Sequence, residues 1–220
     1  MKLGLICPLN LLEYEDSFKV HYFLPYLALK YSIYKHKLLQ WKARGDILIM
    51  DGSRSSGVPE DLEVLLEGIE KVKPTHVILP SIKFQFKHTV EILPKYDIIM
   101  NIGIDSIMPL EGVELVDLLN CMSQTKEYKI HSIRSYLYPI IKNEFSNQEI
   151  LYIETRNTLR ELEDRKGMLV SSMPIRLSIE GLPLSSNKTN PKQINLIEEE
   201  NKYPDLLEKN IRDYKLMYEE

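Results

Sequence analysis

The chain has 220 residues, 44% of them hydrophobic and 27% charged, which is the composition of a soluble globular protein able to bury a sizeable core. Its 28 Lys plus Arg against 32 Asp plus Glu leave a net charge of -4, so any nucleic-acid contact has to be local rather than a global basic coat. Two cysteines, Cys7 and Cys121, exclude a Cys-rich zinc site and a disulfide framework, and they fit a reducing, cytoplasmic compartment. No apolar run reaches the roughly 20 residues of a membrane span, and the opening Met1–Pro8 stretch is too short for a signal-peptide core.

In chain order, short runs rich in Ile, Val and Leu alternate with helix-like stretches. The runs are Leu3 to Leu9, Asp46 to Asp51, His76 to Pro80, Asp97 to Gly103, Lys129 to Ile133, Glu149 to Glu154 and Gly167 to Ser172. The helices are expected at Ser17 to Arg44, Glu60 to Val72, Gly112 to Met122, Tyr136 to Glu144 and Thr158 to Arg165. Strands that are apolar on both faces belong to parallel sheets. The count of runs favours an α/β protein built as a compact (β/α)8 TIM-like barrel over an open sheet, with an incomplete eighth strand at Ile179 to Leu184. The barrel is expected to span residues 1–186. Residues 187–220 are expected to form a polar linker and a C-terminal helix, Tyr203 to Tyr218, packed back on the barrel.

Both barrels and open α/β sheets place their chemistry beyond the carboxyl ends of the strands. Asp51 closes the run Ile47–Met50 and precedes the donor-rich loop Gly52-Ser53-Arg54-Ser55-Ser56-Gly57. A carboxylate there can stabilise a cation or activate water, and the same placement also serves an Asx turn or a helix cap. Glu154 ends another run, either as a second acid or as an ion-pair partner of Arg156 or Arg134. Ser81, Asn101, His131, Ser171 and Ser172 complete a polar ring at the strand ends. No Walker A loop, Gly-x-Gly-x-x-Gly, His-Glu-x-x-His or Cys-x-x-Cys is present, so no metal and no cofactor is expected. The segment Lys83-Phe84-Gln85-Phe86-Lys87-His88 follows a strand end and mixes cations with rings. That combination holds phosphates and stacks bases, although lysines on a solvated helix face with core aromatics give the same pattern.

Laid out this way, the chain resembles the tRNA-guanine transglycosylase superfamily, in particular its short phage and bacterial relatives that act on DNA bases. The resemblance runs from about Pro8 to Ser186 through several weak motifs. Val20-His21-Tyr22 and Ala43-Arg44-Gly45-Asp46 are similar to the relatives' Tyr-His-Leu and Ala-Arg-Gly-Asp, and Asp51 then takes the place of the family's acid-base aspartate. After Val77-Ile78-Leu79-Pro80 the family's base-recognising aspartate is replaced by Ser81. Ile130-His131-Ser132-Ile133-Arg134 resembles the fifth-strand segment, and Leu151-Tyr152-Ile153-Glu154 places Glu154 where a pocket glycine is usual. Gly167 to Arg176 resembles the Asp-x-x-x-Pro-x-Arg segment, with Val170 at the nucleophile's position; the zinc ligands have no counterparts.

The resemblance and its departures imply a DNA glycosylase. It would hydrolyse the N-glycosidic bond of a modified, bulky base of the phage type and leave an abasic site, in the setting of antiviral defence. They assign catalysis to Asp51 with Glu154. The base pocket would comprise His21, Ser53, Arg54, Ser81, Asn101, His131, Ser171 and Ser172, and backbone phosphates would meet Lys83, Lys87, Arg134 and Arg176. The expected partner is nucleic acid with a flipped or single-stranded base, with room for a homodimer or an enzyme partner and no membrane. Two alternatives stay open: a catalytically inactive subunit supporting a partner enzyme, and a base-exchanging transglycosylase that uses Glu154.

Overall fold

The structure is a computed structural model that describes residues 2–54, 57–134, 149–153, 167–179 and 203–218. Eight parallel strands close into a barrel in chain order, each hydrogen-bonded to the next and β8 to β1. They are β1 (Lys2–Leu5), β2 (Val20–Phe23), β3 (Ile47–Asp51), β4 (His76–Ile78), β5 (Asp105–Pro109), β6 (Ile130–Arg134), β7 (Ile150–Ile153) and β8 (Gly167–Ser171). The expected (β/α)8 barrel is therefore the observed one.

Two strands lie where the sequence reading does not put them. The eighth strand is β2, inside the stretch Ser17 to Arg44 that reads as one helix. Pro25 explains the break: it lacks an N–H and occupies the first turn of the helix Pro25–Lys30, so no helix can run through it. A buried histidine in the middle of Val20-His21-Tyr22-Phe23 hides the strand's apolar character. The run Asp97 to Gly103 forms a short helix (Asp97–Met100) and a turn at Gly103, whose φ is 79°, and the strand follows at Asp105. Ile179 ends a helix, Met173–Ile179, rather than opening a strand. The expected helices Tyr136 to Glu144 and Thr158 to Arg165 and the linker before Tyr203 lie outside the described residues.

Alternation along the strands sorts the apolar residues into two layers. Val20, Ile49, Ile78, Ile107, Leu151, Ile153, Met168 and Val170 meet one another inside the barrel, with Tyr22 packed against them. The intervening residues, among them Leu5, Phe23, Leu48, Met50, Val77, Met108 and Leu169, face the helices and join Leu38, Trp41, Leu65 and Leu118. Gly4 makes the first seam possible. A Cβ there would lie 2.4 Å from the Val20 carbonyl oxygen and 3.0 Å from Val170 Cγ1.

The C-terminal helix, Tyr203–Tyr218, packs against the barrel. It buries Leu207, Ile211 and Tyr214, and the Tyr214 hydroxyl donates to the carbonyls of Gly4 and Leu169 at 3.2 and 3.3 Å, which anchors it where β1 meets β8. Among the described residues no helix is long and apolar enough to cross a membrane.

Candidate active site at the barrel mouth

Asp51 is the last residue of β3, and the alternation that sends Ile47 and Ile49 inward sends Asp51 inward too, at the carboxyl end of the barrel. It is 2% exposed. Its Oδ1 accepts the Ser53 backbone N–H at 2.9 Å, which is an Asx turn, and its Oδ2 accepts the Tyr22 hydroxyl from the neighbouring strand. The turn and the inward carboxylate are thus one arrangement: the turn fixes the carboxylate's orientation. Gly52 lets the loop leave the strand here, because a Cβ would lie 2.4 Å from the Ile78 carbonyl oxygen that accepts the Gly52 N–H at 2.8 Å.

From Asp51 a chain of hydrogen bonds crosses two further strand ends. The Ser81 N–H, beyond β4, donates to Ser53 Oγ at 3.0 Å, and Ser81 Oγ donates to Glu111 Oε1 at 2.9 Å. Glu111 Oε2 accepts the Phe84 N–H at 3.0 Å. Glu111 is 2% exposed and lies two residues beyond β5. The sequence reading misses it, because it expects this strand at Asp97 to Gly103; the signal is present in Asp105-Ser106-Ile107-Met108-Pro109-Leu110-Glu111, an apolar run ending in an acid.

Asp51, Ser81, Glu111 and Ser132 line one cavity with Ile78, Pro109, Leu110 and Ile153. Its volume is about 10 Å³, which is room for a single water held by polar groups. The arrangement can therefore present one water to two carboxylates and two hydroxyls at the barrel mouth, the face on which barrels of this type carry their chemistry.

Several expected pocket residues lie elsewhere. His21 faces outward from β2 into the helix layer, where its ring stacks on Trp41 at 4.0 Å between centroids. Its Nδ1 lies 3.2 Å from Glu15 Oε1 and its Nε2 lies 3.3 Å from Asp46 Oδ2, while Arg44 Nε donates to Asp46 Oδ2 at 2.7 Å. His21 and the Ala-Arg-Gly-Asp motif thus tie a sheet to its helices and do not wall the cavity. Burial pushes His21 down to about 4, against the pull of Asp46, and raises Glu15 well above the usual carboxylate value. Burial alone would raise Asp46 as well, but hydrogen bonds from Arg44, Lys19 and His21 hold it below its ordinary value. The three directions favour one proton arrangement, in which Asp46 accepts from Nε2–H and Glu15 donates to Nδ1.

His131 also faces outward, with Nε2 3.3 Å from Thr125 Oγ1, and its strand neighbour Ser132 takes the inward place. Asn101 caps the short helix before β5, at the opposite end of the barrel from Asp51, because the strand it is expected to end is not there. Arg54 is drawn away by carboxylates, with Nε 2.7 Å from Glu60 Oε1 and a second contact of 2.5 Å to Asp61. Ser171 is buried at the end of β8, one residue past the inward Val170, and Ser172 is half-buried beside it. Lys83 and Lys87 are exposed beyond β4, and Arg176 is half-buried on the helix after β8. Glu154 and the side chain of Arg134 lie outside the described residues. Among the described residues no group of three or more His, Cys, Asp or Glu is placed to hold a metal ion.

The closed parallel barrel defines the class: a TIM-type (β/α)8 protein with a carboxylate-lined mouth. No protein-family model matches the chain, and no curated protein sequence does. Among solved structures it is similar to a D-psicose 3-epimerase, at 12% identity and a TM-score of 0.52 over 77% of this chain and 84% of that one. It is also similar to a monomeric form of phosphoribosylanthranilate isomerase from Thermotoga maritima, at 12% identity and a TM-score of 0.52 over 97% of this chain and 99% of that one. These likenesses establish the fold.

Proposed function

We propose that the chain is an enzyme that hydrolyses an N-glycosidic bond in nucleic acid, a DNA glycosylase acting on a modified base, with Asp51 as its general base. The observation that carries this reading is the cavity with room for one water, lined by two buried carboxylates, Asp51 and Glu111, with Asp51 oriented by the Tyr22 hydroxyl and the Ser53 N–H. Two carboxyl groups with a water between them suit cleavage through an oxocarbenium-like sugar. Water oxygen bonds to C1′ as the C1′–N bond breaks. Asp51 takes the proton the water loses and passes it to the departing base nitrogen, so an abasic sugar and a free base result. The cavity is too small for a base, which would therefore sit above it at the open rim.

Val170 supports hydrolysis over base exchange. The position where the resembled family carries its nucleophile is here a fully buried aliphatic side chain inside the barrel. We assign the part of second carboxyl group to Glu111; Glu154, to which the resemblance gives that part, lies outside the described residues. The two solved neighbours are both enzymes on this fold, which supports the broader statement that this chain is one.

The test incubates purified protein with unmodified and hypermodified DNA and scores free base and alkali-labile strand breaks. Base release with abasic sites supports hydrolysis, and Asp51→Asn should abolish it while leaving the folded state intact. Label exchange without abasic sites would identify a transglycosylase, and silence on every substrate would identify a non-catalytic subunit.

A further inference from the structure

Phe84 stands out at the rim. Its φ of 65° is in the left-handed region, which a β-carbon disfavours and an aromatic residue seldom adopts, yet the residue is 47% exposed. The backbone around it is tied on several sides. The Phe84 N–H donates to the cavity carboxylate Glu111 at 3.0 Å, the Lys83 N–H to the Gly57 carbonyl at 3.2 Å, and the Ile82 N–H to Thr89 Oγ1 at 2.9 Å. Gly57, with φ 77°, lets the loop after β3 press on this turn, since a Cβ there would lie 2.8 Å from Lys83 Cβ. A disfavoured backbone held this firmly sets a part-exposed benzyl side chain one hydrogen bond from the cavity, with Lys83 Nζ over its ring at 4.8 Å from the centroid.

We propose that Phe84 is the stacking platform for an unpaired nucleobase next to the one engaged at Asp51, with Lys83 meeting the adjoining phosphate. This rests on the nucleic-acid reading of the site. An aromatic face with a neighbouring cation is the arrangement that holds single-stranded nucleic acid without regard to base identity, because every base has a π face.

The test uses the full-length chain and a short fluorescein-labelled single-stranded DNA of mixed sequence. Anisotropy should give a dissociation constant about tenfold weaker for Phe84→Ala and Phe84→Leu, with near wild-type affinity for Phe84→Tyr and Phe84→Trp. The Phe84→Trp variant adds a direct readout. The single native tryptophan, Trp41, is 1% exposed, so the added indole emission should be quenched as unlabelled DNA of the same sequence is titrated in. Lys83→Ala should reduce the salt dependence of binding without removing the quenching. If Phe84→Ala binds DNA as wild type does, or the indole emission of Phe84→Trp does not respond, the stacking role is overturned while the glycosylase reading stands on base release. If wild type binds no DNA and releases no base, both are overturned.

Discussion

The Tyr22 hydroxyl donates to Asp51 Oδ2 across the β2–β3 seam, inside the barrel mouth. Tyr22 comes from the strand that the sequence reading overlooks, so the residue that orients Asp51 is concealed along with it. Tyr22→Phe removes that donor while keeping the ring against the inner core. A hydrogen bond to a charged acceptor contributes about 1.5–3 kcal/mol, so base release should slow by about tenfold or more with KM little changed. Release at the wild-type rate would remove Tyr22 from the mechanism.

Glu111→Gln separates charge from shape. The amide oxygen can still accept the Phe84 N–H, and the Ser81 hydroxyl can rotate to accept from the amide nitrogen, so the turn keeps both contacts. Thermal unfolding should move little, whereas kcat for base release should fall by about tenfold or more. Glu111→Ala should differ in kind, because it removes the acceptor of the buried Ser81 hydroxyl and of the part-buried Phe84 N–H, and should cost about 1–3 kcal/mol of stability. Equal activity of the Gln variant and wild type would return the second-acid role to Glu154.

The Glu15–His21–Asp46 network makes stability depend on pH in two opposing directions. His21 is lowered from 6.5 to about 4, so its stabilisation is complete above about pH 6.5 and is lost as pH falls toward 4. Glu15 is raised from 4.5, so its contribution is complete below that value and declines as pH rises through its folded pKa. Glu15→Gln mimics the protonated acid at every pH and should remove the second decline. Urea midpoints measured from about pH 5 to about pH 8 should show the variant gaining on wild type as pH rises. A constant difference would mean that Glu15 is not the protonated partner of His21.

Gly4→Ala should destabilise the barrel by about 1–3 kcal/mol or more, since the added methyl meets the Val20 carbonyl oxygen, a backbone atom that cannot move without parting β1 from β2. Denaturant unfolding measures this directly. An unchanged midpoint would show that the seam tolerates more separation than its geometry suggests.

The sequence by itself determined the repeating plan and the strand-end position of Asp51. Both-face apolar runs between helices specify buried parallel strands, and Asp51 is legible because a carboxylate that closes such a run and opens a Gly-Ser loop must lie at a strand end. Register and facing were decided only by the tertiary structure. A one-residue change of parity turns a side chain from the barrel interior to the helix layer, which is why His131 points away while Ser132 lines the cavity, and why His21 joins Trp41 while Tyr22 reaches Asp51. Glu111 joined the site through closure of the barrel. Its partners Ser81 and Phe84 lie 30 and 27 residues away in the chain, and only closure of the barrel brings β4 and β5 side by side with both ends at one mouth.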